Sequence, residues 1–180
     1  MKPTLVGFKL NVLQDMCRWT LCGVWRRHRQ ERFGFLYGRV RRNGHIVVEQ
    51  AALYRGGRRS RCSSDVNLTK MVVRRYLLGR MLGRRPLGTF HSHISSGGET
   101  AHGASPEDRR ALQLDRLALI AVVVAVRPAY REPDAKSKRA LVGYEKRLGC
   151  SFNIRAYLTA GPRIRLLKVK AADAPRSAAY

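Results

Sequence analysis

Apolar residues recur along the chain with a helical period in three segments. The first runs from Leu10 to about Arg29, and the second covers Leu68 to Leu82. The third is predicted to begin at Ser105 and Pro106, which suit the N-cap and the first helical position, and to end near Leu117. The pattern therefore predicts three helices, spread over the chain.

Two-residue alternation and short apolar runs predict strands between these helices. Asn43 and Gly44 lie between two such runs and favour a tight hairpin turn, because both residues tolerate positive φ. Leu119–Val126 is almost wholly apolar and β-branched, which is typical of a central strand buried on both faces. The predicted strands are Leu5–Phe8, Phe33–Arg41, His45–Tyr54, Pro86–Ile94, Leu119–Val126, Leu141–Leu148, Phe152–Thr159 and Ile164–Val169.

These elements predict one α/β (α+β) domain over residues 1–170, in which helices flank a mixed, mostly antiparallel sheet. The chain has 180 residues, 44% of them hydrophobic, which is enough for one hydrophobic core but not for two domains. Residues 171–180 are predicted to form a flexible C-terminal tail.

The charge balance is strongly basic, with 36 Lys and Arg against 12 Asp and Glu, a formal net charge of +24. One interpretation is attraction to a polyanion or an acidic protein. The other is a solvated surface with dispersed charge, because the Arg doublets are spread along the chain. Nonspecific nucleic-acid binding at low salt is expected in both cases. The sequence has no helix-turn-helix, zinc-finger or aromatic RNA-binding signature that would indicate specific recognition.

A cytoplasmic protein without a membrane segment is expected. The longest apolar run, Leu117–Val126, is shorter than the about 20 residues needed to span a bilayer. No signal-peptide apolar region follows the N-terminus. The four cysteines form no Cys-x-x-Cys pair, so they indicate no cysteine zinc site, and their spacing selects no disulfide. They are Cys17, Cys22, Cys62 and Cys150.

The pair His91 and His93 carries the clearest chemical signal. On a strand, residues i and i+2 share a face and lie about 7 Å apart at Cα, so both imidazoles can converge on one zinc ion. Asp108, in the first turn of the third helix, offers a carboxylate as third ligand. Two His and one carboxylate leave a fourth position open for water, the pattern of catalytic zinc sites.

Two further residues bear on this interpretation. Ser105 and Asp108 could instead form only a reciprocal helix cap, since Ser-x-x-Asp with Pro106 is a good helix start. Glu31, at the start of the glycine-containing strand, could be the general base that a hydrolytic zinc site requires, if that strand start lies near the histidines.

Taken together, Glu31 ahead of a Gly-containing strand, then His91-Ser92-His93, then Ser105 to Asp108, resemble the motif of the JAMM (MPN-plus) zinc metalloproteases. The resemblance implies a single MPN-like domain with a cytidine-deaminase-like layout. It also implies zinc bound by His91, His93 and Asp108, Glu31 as the base, and Ser105 stabilising the oxyanion.

The activity implied by the resemblance is hydrolysis of the isopeptide bond after the C-terminus of ubiquitin or a ubiquitin-like modifier. The substrates would be conjugates of such modifiers, as for archaeal relatives of the proteasome-lid deubiquitinase. A proteasome or another MPN-type protein is the implied partner. The alternatives are an inactive MPN scaffold and a basic nucleic-acid or protein-binding module.

The sequence departs from the family pattern after the second histidine. Ile94 stands where the family usually has Pro, and the segment Ile94–Ala104 is longer than in the family. This segment carries His102, which could be an extra ligand, a regulatory group or an exposed loop histidine. Together with Ala129–Lys138, it is a candidate clamp for the extended tail of a modifier.

Overall fold

The described part of the chain forms ten strands, three α-helices and one 3-10 turn. The computed structural model describes residues 4–24, 31–54, 58–59, 64–65, 68–94, 103–115, 117–128, 139–159 and 164–172. The helices are α1 Leu10–Val24, α2 Leu68–Met81 and α3 Pro106–Leu114, and the 3-10 turn is Lys146–Leu148. The strands are β1 Leu5–Phe8, β2 Phe33–Val40, β3 Ile46–Leu53, β4 Arg58–Arg59, β5 Ser64–Asp65, β6 Arg85–Ile94, β7 Ile120–Pro128, β8 Leu141–Glu145, β9 Cys150–Leu158 and β10 Arg165–Ala171.

The predicted helices and strands are confirmed as elements, with differences at their ends. Helix α3 ends at Leu114, with Asp115 as its C-cap, instead of reaching Leu117. The predicted end of the first helix near Arg29 lies outside the described residues. The two-residue strands β4 and β5 pair with each other and were not predicted, because they are too short to show a period.

The main sheet closes on itself, which corrects the predicted fold class. Its order is β10-β1-β3-β2-β6-β7-β9-β8, and β10 also pairs with β9. Seven strands therefore form a closed barrel, with β8 on the outside edge of β9. The expected mixed sheet flanked by helices, in an MPN-like, cytidine-deaminase-like layout, is wrong. Local patterning predicts strands, but it does not show that β1 and β10, from opposite ends of the chain, pair in parallel.

The main hydrophobic core lies inside this barrel. It contains buried side chains from all seven barrel strands, for example Val6 of β1, Leu36 of β2 and Val169 of β10. Helix α1 contributes to the same cluster, so it packs with the inner face of the sheet. The side chains from α1 are Val12, Leu13, Met16 and Leu21.

Two smaller clusters lie on the outer face of the barrel. Met71 of α2 packs with Phe35 and Tyr37 of β2. Ala104, just before α3, packs with Val123 of β7 and Tyr157 of β9. Helices α2 and α3 are thus placed against the outside of the sheet. In the part of the chain that the structure describes, no helix has the length and apolarity required to cross a membrane.

Candidate metal centre

Strand β6 presents His91 and His93 on the outer face of the barrel. It lies between β2, its antiparallel neighbour, and β7, its parallel neighbour. Phe90, whose side chain points the other way, lies in the inner core. Gly88 permits the close approach of β6 and β7, because a Cβ there would overlap the carbonyl of Ile120. The two imidazoles are therefore fixed to a rigid central strand.

Helix α3 brings Asp108 to these histidines. Its Oδ1 lies 3.2 Å from His91 Nε2, and its Oδ2 lies 3.0 Å from His93 Nε2. The two Nε2 atoms are 3.0 Å apart. Ligand atoms around a tetrahedral zinc at 2.0–2.1 Å would be roughly 3.3 Å apart. The three side chains thus form a cluster whose spacing fits one small cation.

The cap of α3 and the cluster use the same carboxylate. Asp108 Oδ2 accepts a hydrogen bond of 2.7 Å from the backbone N–H of Ser105, and Ser105 Oγ accepts one of 3.0 Å from the backbone N–H of Asp108. The sequence left a helix cap and a metal ligand as alternatives. The structure shows the cap, and the cap holds the carboxylate in its orientation towards both histidines.

The electrostatics of the cluster keep Asp108 ionised. Burial raises the pKa of its carboxyl group, but this effect is outweighed by hydrogen bonds from His91 and His93, the charge of His91 and the backbone hydrogen bond from Ser105. The net effect holds the pKa of Asp108 well below its usual range. An anion with two neighbouring imidazoles is a donor set suited to a divalent cation.

Glu31 is placed beside this cluster by its neighbours in β2 and β6. The backbone N–H of Arg32 donates to Ser92 Oγ at 2.7 Å, and the backbone N–H of Ser92 donates to the carbonyl of Arg32 at 2.8 Å. Phe33 is the register partner of His91. The strand start therefore does lie near the histidines.

The carboxyl group of Glu31 is affected by the cluster. Burial raises its pKa above the ordinary value for Glu, the charges of His91 and His93 lower it, and the charge of Asp108 raises it. The net direction is upward, so the Glu31 carboxylate accepts a proton more readily than an ordinary Glu does. Glu31 does not belong to the group of three ligand atoms.

Ser105 and Tyr157 shape the edge of the cluster. The Ser105 hydroxyl accepts from Asp108 N, and its own O–H donates to no acceptor among the described residues. The backbone N–H of Ala104, the preceding residue, donates to the Tyr157 hydroxyl at 3.0 Å. Ser92 and Tyr157 were not predicted from the sequence. A hydroxyl between the histidines on the buried face of a strand needs a partner, and that need is the signal for Ser92.

Several predicted features lie outside the described residues. They are His102 with most of Ile94–Ala104, the segment Ala129–Lys138, Cys62, and residues 173–180 of the predicted tail. Strand β10 ends at Ala171, the first residue assigned to that tail. Among the described cysteines, Cys17, Cys22 and Cys150 are free thiols. Burial raises the pKa of Cys17 to about 12, so this thiol is unreactive at neutral pH.

Comparisons with known proteins bear on the fold alone. No family model and no curated protein matches the chain. The solution structure of the protein DSY2949 from Desulfitobacterium hafniense, a structural genomics target, is similar to this chain. The TM-score is 0.56 with 15% sequence identity, and the match covers 92% of each chain. At this identity the two proteins share an architecture, which extends over almost the whole chain.

Proposed function

We propose that the chain is a zinc-dependent isopeptidase that hydrolyses the amide bond after the C-terminus of a ubiquitin-like modifier. The observation that carries this proposal is the convergence of His91 Nε2, His93 Nε2 and a carboxylate oxygen of Asp108 within 4.8 Å of one another. The substrate class comes from the motif resemblance to the JAMM metalloproteases, formed by Glu31, the two histidines, Ser105 and Asp108.

The donor set supports zinc among the common divalent ions. Two imidazole nitrogens and one carboxylate oxygen are borderline ligands that suit zinc, whereas calcium and magnesium prefer oxygen ligands throughout. With three protein ligands, a bound zinc ion would keep one coordination position open for water. The cluster is also partly exposed, with side-chain exposures of 15% for His91 and 14% for His93, so a substrate can reach it.

The chain's own residues supply the rest of the chemistry. When bound, zinc supplies a Lewis acid that lowers the pKa of water towards neutrality. Glu31 accepts the proton of the attacking water and later passes it to the leaving amine. Ser105 donates its O–H to the oxygen of the amide carbonyl as negative charge develops there. Asp108 keeps its orientation because the backbone N–H of Ser105 holds it.

Zinc content and activity, measured on the same preparations, test the proposal. The wild type is expected to bind about one zinc ion per chain, and Asp108→Ala is expected to lose it. Ser105→Ala is the matched control for zinc content, because it removes the Ser105 side chain from the helix cap but leaves all three ligands, and it should keep its zinc. Glu31→Gln should keep its zinc and lose cleavage in a screen of ubiquitin-like conjugates. A folded wild type without zinc, even after reconstitution, would contradict the proposal.

A further inference from the structure

The outer face of the barrel carries two arginines, Arg127 and Arg155, near the group formed by His91, His93 and Asp108. The sheet register runs from His91 to Val123 and on to Arg155. Register partners on neighbouring strands point to the same face of a sheet, and so do residues i and i+2 on one strand. Arg127, further along β7 than Val123, therefore shares that face, as does Ser151, its register partner in β9.

Neutral side chains orient both guanidinium groups. Arg155 Nε donates to Asn153 Oδ1 at 3.2 Å, and Arg127 Nε donates to Ser151 Oγ at 3.1 Å. Each guanidinium has five N–H donors, so most of them remain for another partner. Within the described residues, no carboxylate lies at ion-pair distance from either arginine. Their positive charges are thus oriented, and no carboxylate of the described residues neutralises them.

Arg155 also borders the segment that leads into the cluster. A Cβ placed on Gly103 would lie 3.3 Å from Arg155 Nη1 and 2.8 Å from the Tyr157 hydroxyl. Gly103 precedes Ser105 by two residues. Arg155 is two strands away from His91, which corresponds to about 10 Å between Cα atoms. An extended peptide covers this distance with about three residues.

We propose that Arg127 and Arg155 form a subsite for the carboxylates of an acidic peptide segment, located within about three residues of the amide bond that is cleaved. The inference rests on the proposed function and adds a substrate preference to it. Arginine pairs with carboxylates in a bidentate geometry, which gives orientation as well as affinity. The net charge of +24 attracts acidic substrates over a longer range.

Arginine also binds phosphates, so nucleic acid is the competing ligand of this face. An acidic peptide is favoured because the two arginines share the face of a cluster proposed to cleave amides. In addition, neutral hydrogen bonds from the sheet fix each guanidinium at one place, whereas nonspecific phosphate binding needs no such positioning.

The test measures binding of matched peptides to the zinc-loaded full chain by fluorescence anisotropy at physiological salt. The probes are a labelled hexapeptide with two glutamates, the same peptide with two glutamines, and a labelled thymidine hexanucleotide. We expect the glutamate peptide to bind at least tenfold more tightly than the glutamine peptide. The variant R127M/R155M should remove this difference, and R127K/R155K should keep part of it.

The control variant R18M/R42M removes the same charge from exposed positions elsewhere. It should leave the glutamate preference unchanged. Equal binding of both peptides by the zinc-loaded chain would overturn the subsite alone. An equal loss in R18M/R42M, or tighter binding of the hexanucleotide with the same arginine dependence, would also overturn it. A chain that binds no zinc would overturn the proposed function, and the subsite with it.

Discussion

Ser92 lies between the two histidines in sequence but on the opposite, fully buried face of β6. Its hydroxyl and its backbone N–H both bond to the peptide groups of Arg32, the residue that follows Glu31. The proposed base is therefore held at its place by the same strand that holds the two histidines. In the proposed mechanism, Ser92 therefore positions Glu31 and does not bind the metal.

If the proposed activity is correct, Ser92→Ala is expected to lower kcat by about tenfold or more, because it removes the acceptor of the Arg32 N–H and loosens the segment that carries the proposed general base. Zinc content should stay at the wild-type level, since the three ligands remain. Ser92→Thr keeps the hydroxyl and should retain most of the activity. A variant that loses zinc and activity together would indicate a role in folding instead of positioning.

The residues that converge in the structure, His91, His93 and Asp108, were predicted from the sequence. The hydrogen bonds that position Glu31 beside them were not. His91 and His93 share a face because strands have a two-residue period, and Asp108 lies one turn after a recognisable N-cap. Both signals are local. The partnership of Ser92 with Arg32 depends on the register of β2 against β6, which residue patterns do not specify.

The buried hydroxyl of Tyr37 is expected to make the folded state less stable at alkaline pH. This hydroxyl donates to the carbonyl of Arg75, and burial raises its pKa to about 12. An unfolded tyrosine has a pKa of about 10, so this contribution is fully present below pH 10 and is lost as the pH rises towards 12. Urea unfolding between pH 9 and 11 should show a shallower loss of stability for Tyr37→Phe than for the wild type. If the free energy of unfolding falls equally with pH in both proteins, groups other than Tyr37 cause the loss of stability at alkaline pH.

Helices α2 and α3 are joined by a buried ion pair. Arg75 of α2 and Asp115, the C-cap of α3, form two hydrogen bonds of 2.7 and 3.0 Å. Their side chains are only 3% and 7% exposed. Because α3 carries Asp108, this ion pair anchors the helix that brings the Asp108 carboxylate to the two histidines.

Asp115→Ala should destabilise the protein by about 3–5 kcal/mol, because the charge of Arg75 remains buried without its partner. Arg39→Met is the control, because the Arg39 side chain is 62% exposed and its partner Glu49, only 5% exposed, keeps a second ion pair with Arg84 at 3.2 Å. It should cost about 1 kcal/mol or less. Urea denaturation measures the free energy of unfolding of both variants. Equal decreases would show that the buried pair stabilises the protein no more than the Arg39–Glu49 pair does.

Helices and strands with a clear hydrophobic period were predicted from the sequence. The order in which the strands pair in the sheet was not. The hairpin of β2 and β3 followed from Asn43 and Gly44, since a tight turn fixes which strands pair. Strand β10 pairs with β9, its neighbour along the chain, and with β1. The pairing of β10 with β1 joins segments far apart in sequence. It depends on side chains that meet only in the folded core, so the closed sheet could not be read from local patterning.

For the whole molecule, a bound metal would tie the sheet to α3. A ligand that binds only the folded state raises the free energy of unfolding by about 4 kcal/mol when its free concentration is a thousand times its Kd. In a chain of this size that corresponds to a Tm increase of roughly 8–16 °C. Thermal unfolding with zinc and with a chelator should differ by several degrees or more. Asp108→Ala should show no such difference, and a zinc response in that variant would place the ion elsewhere.

The position of β10 in the barrel has a consequence for synthesis on the ribosome. Strands β2, β6 and β7 and helix α3 all emerge before residues 165–171, which complete the barrel. Until then, β1 and β9 each present an unpaired strand edge, and such edges recruit strands from other molecules. The nascent chain is therefore exposed to intermolecular strand pairing until β10 has been synthesised and can pair.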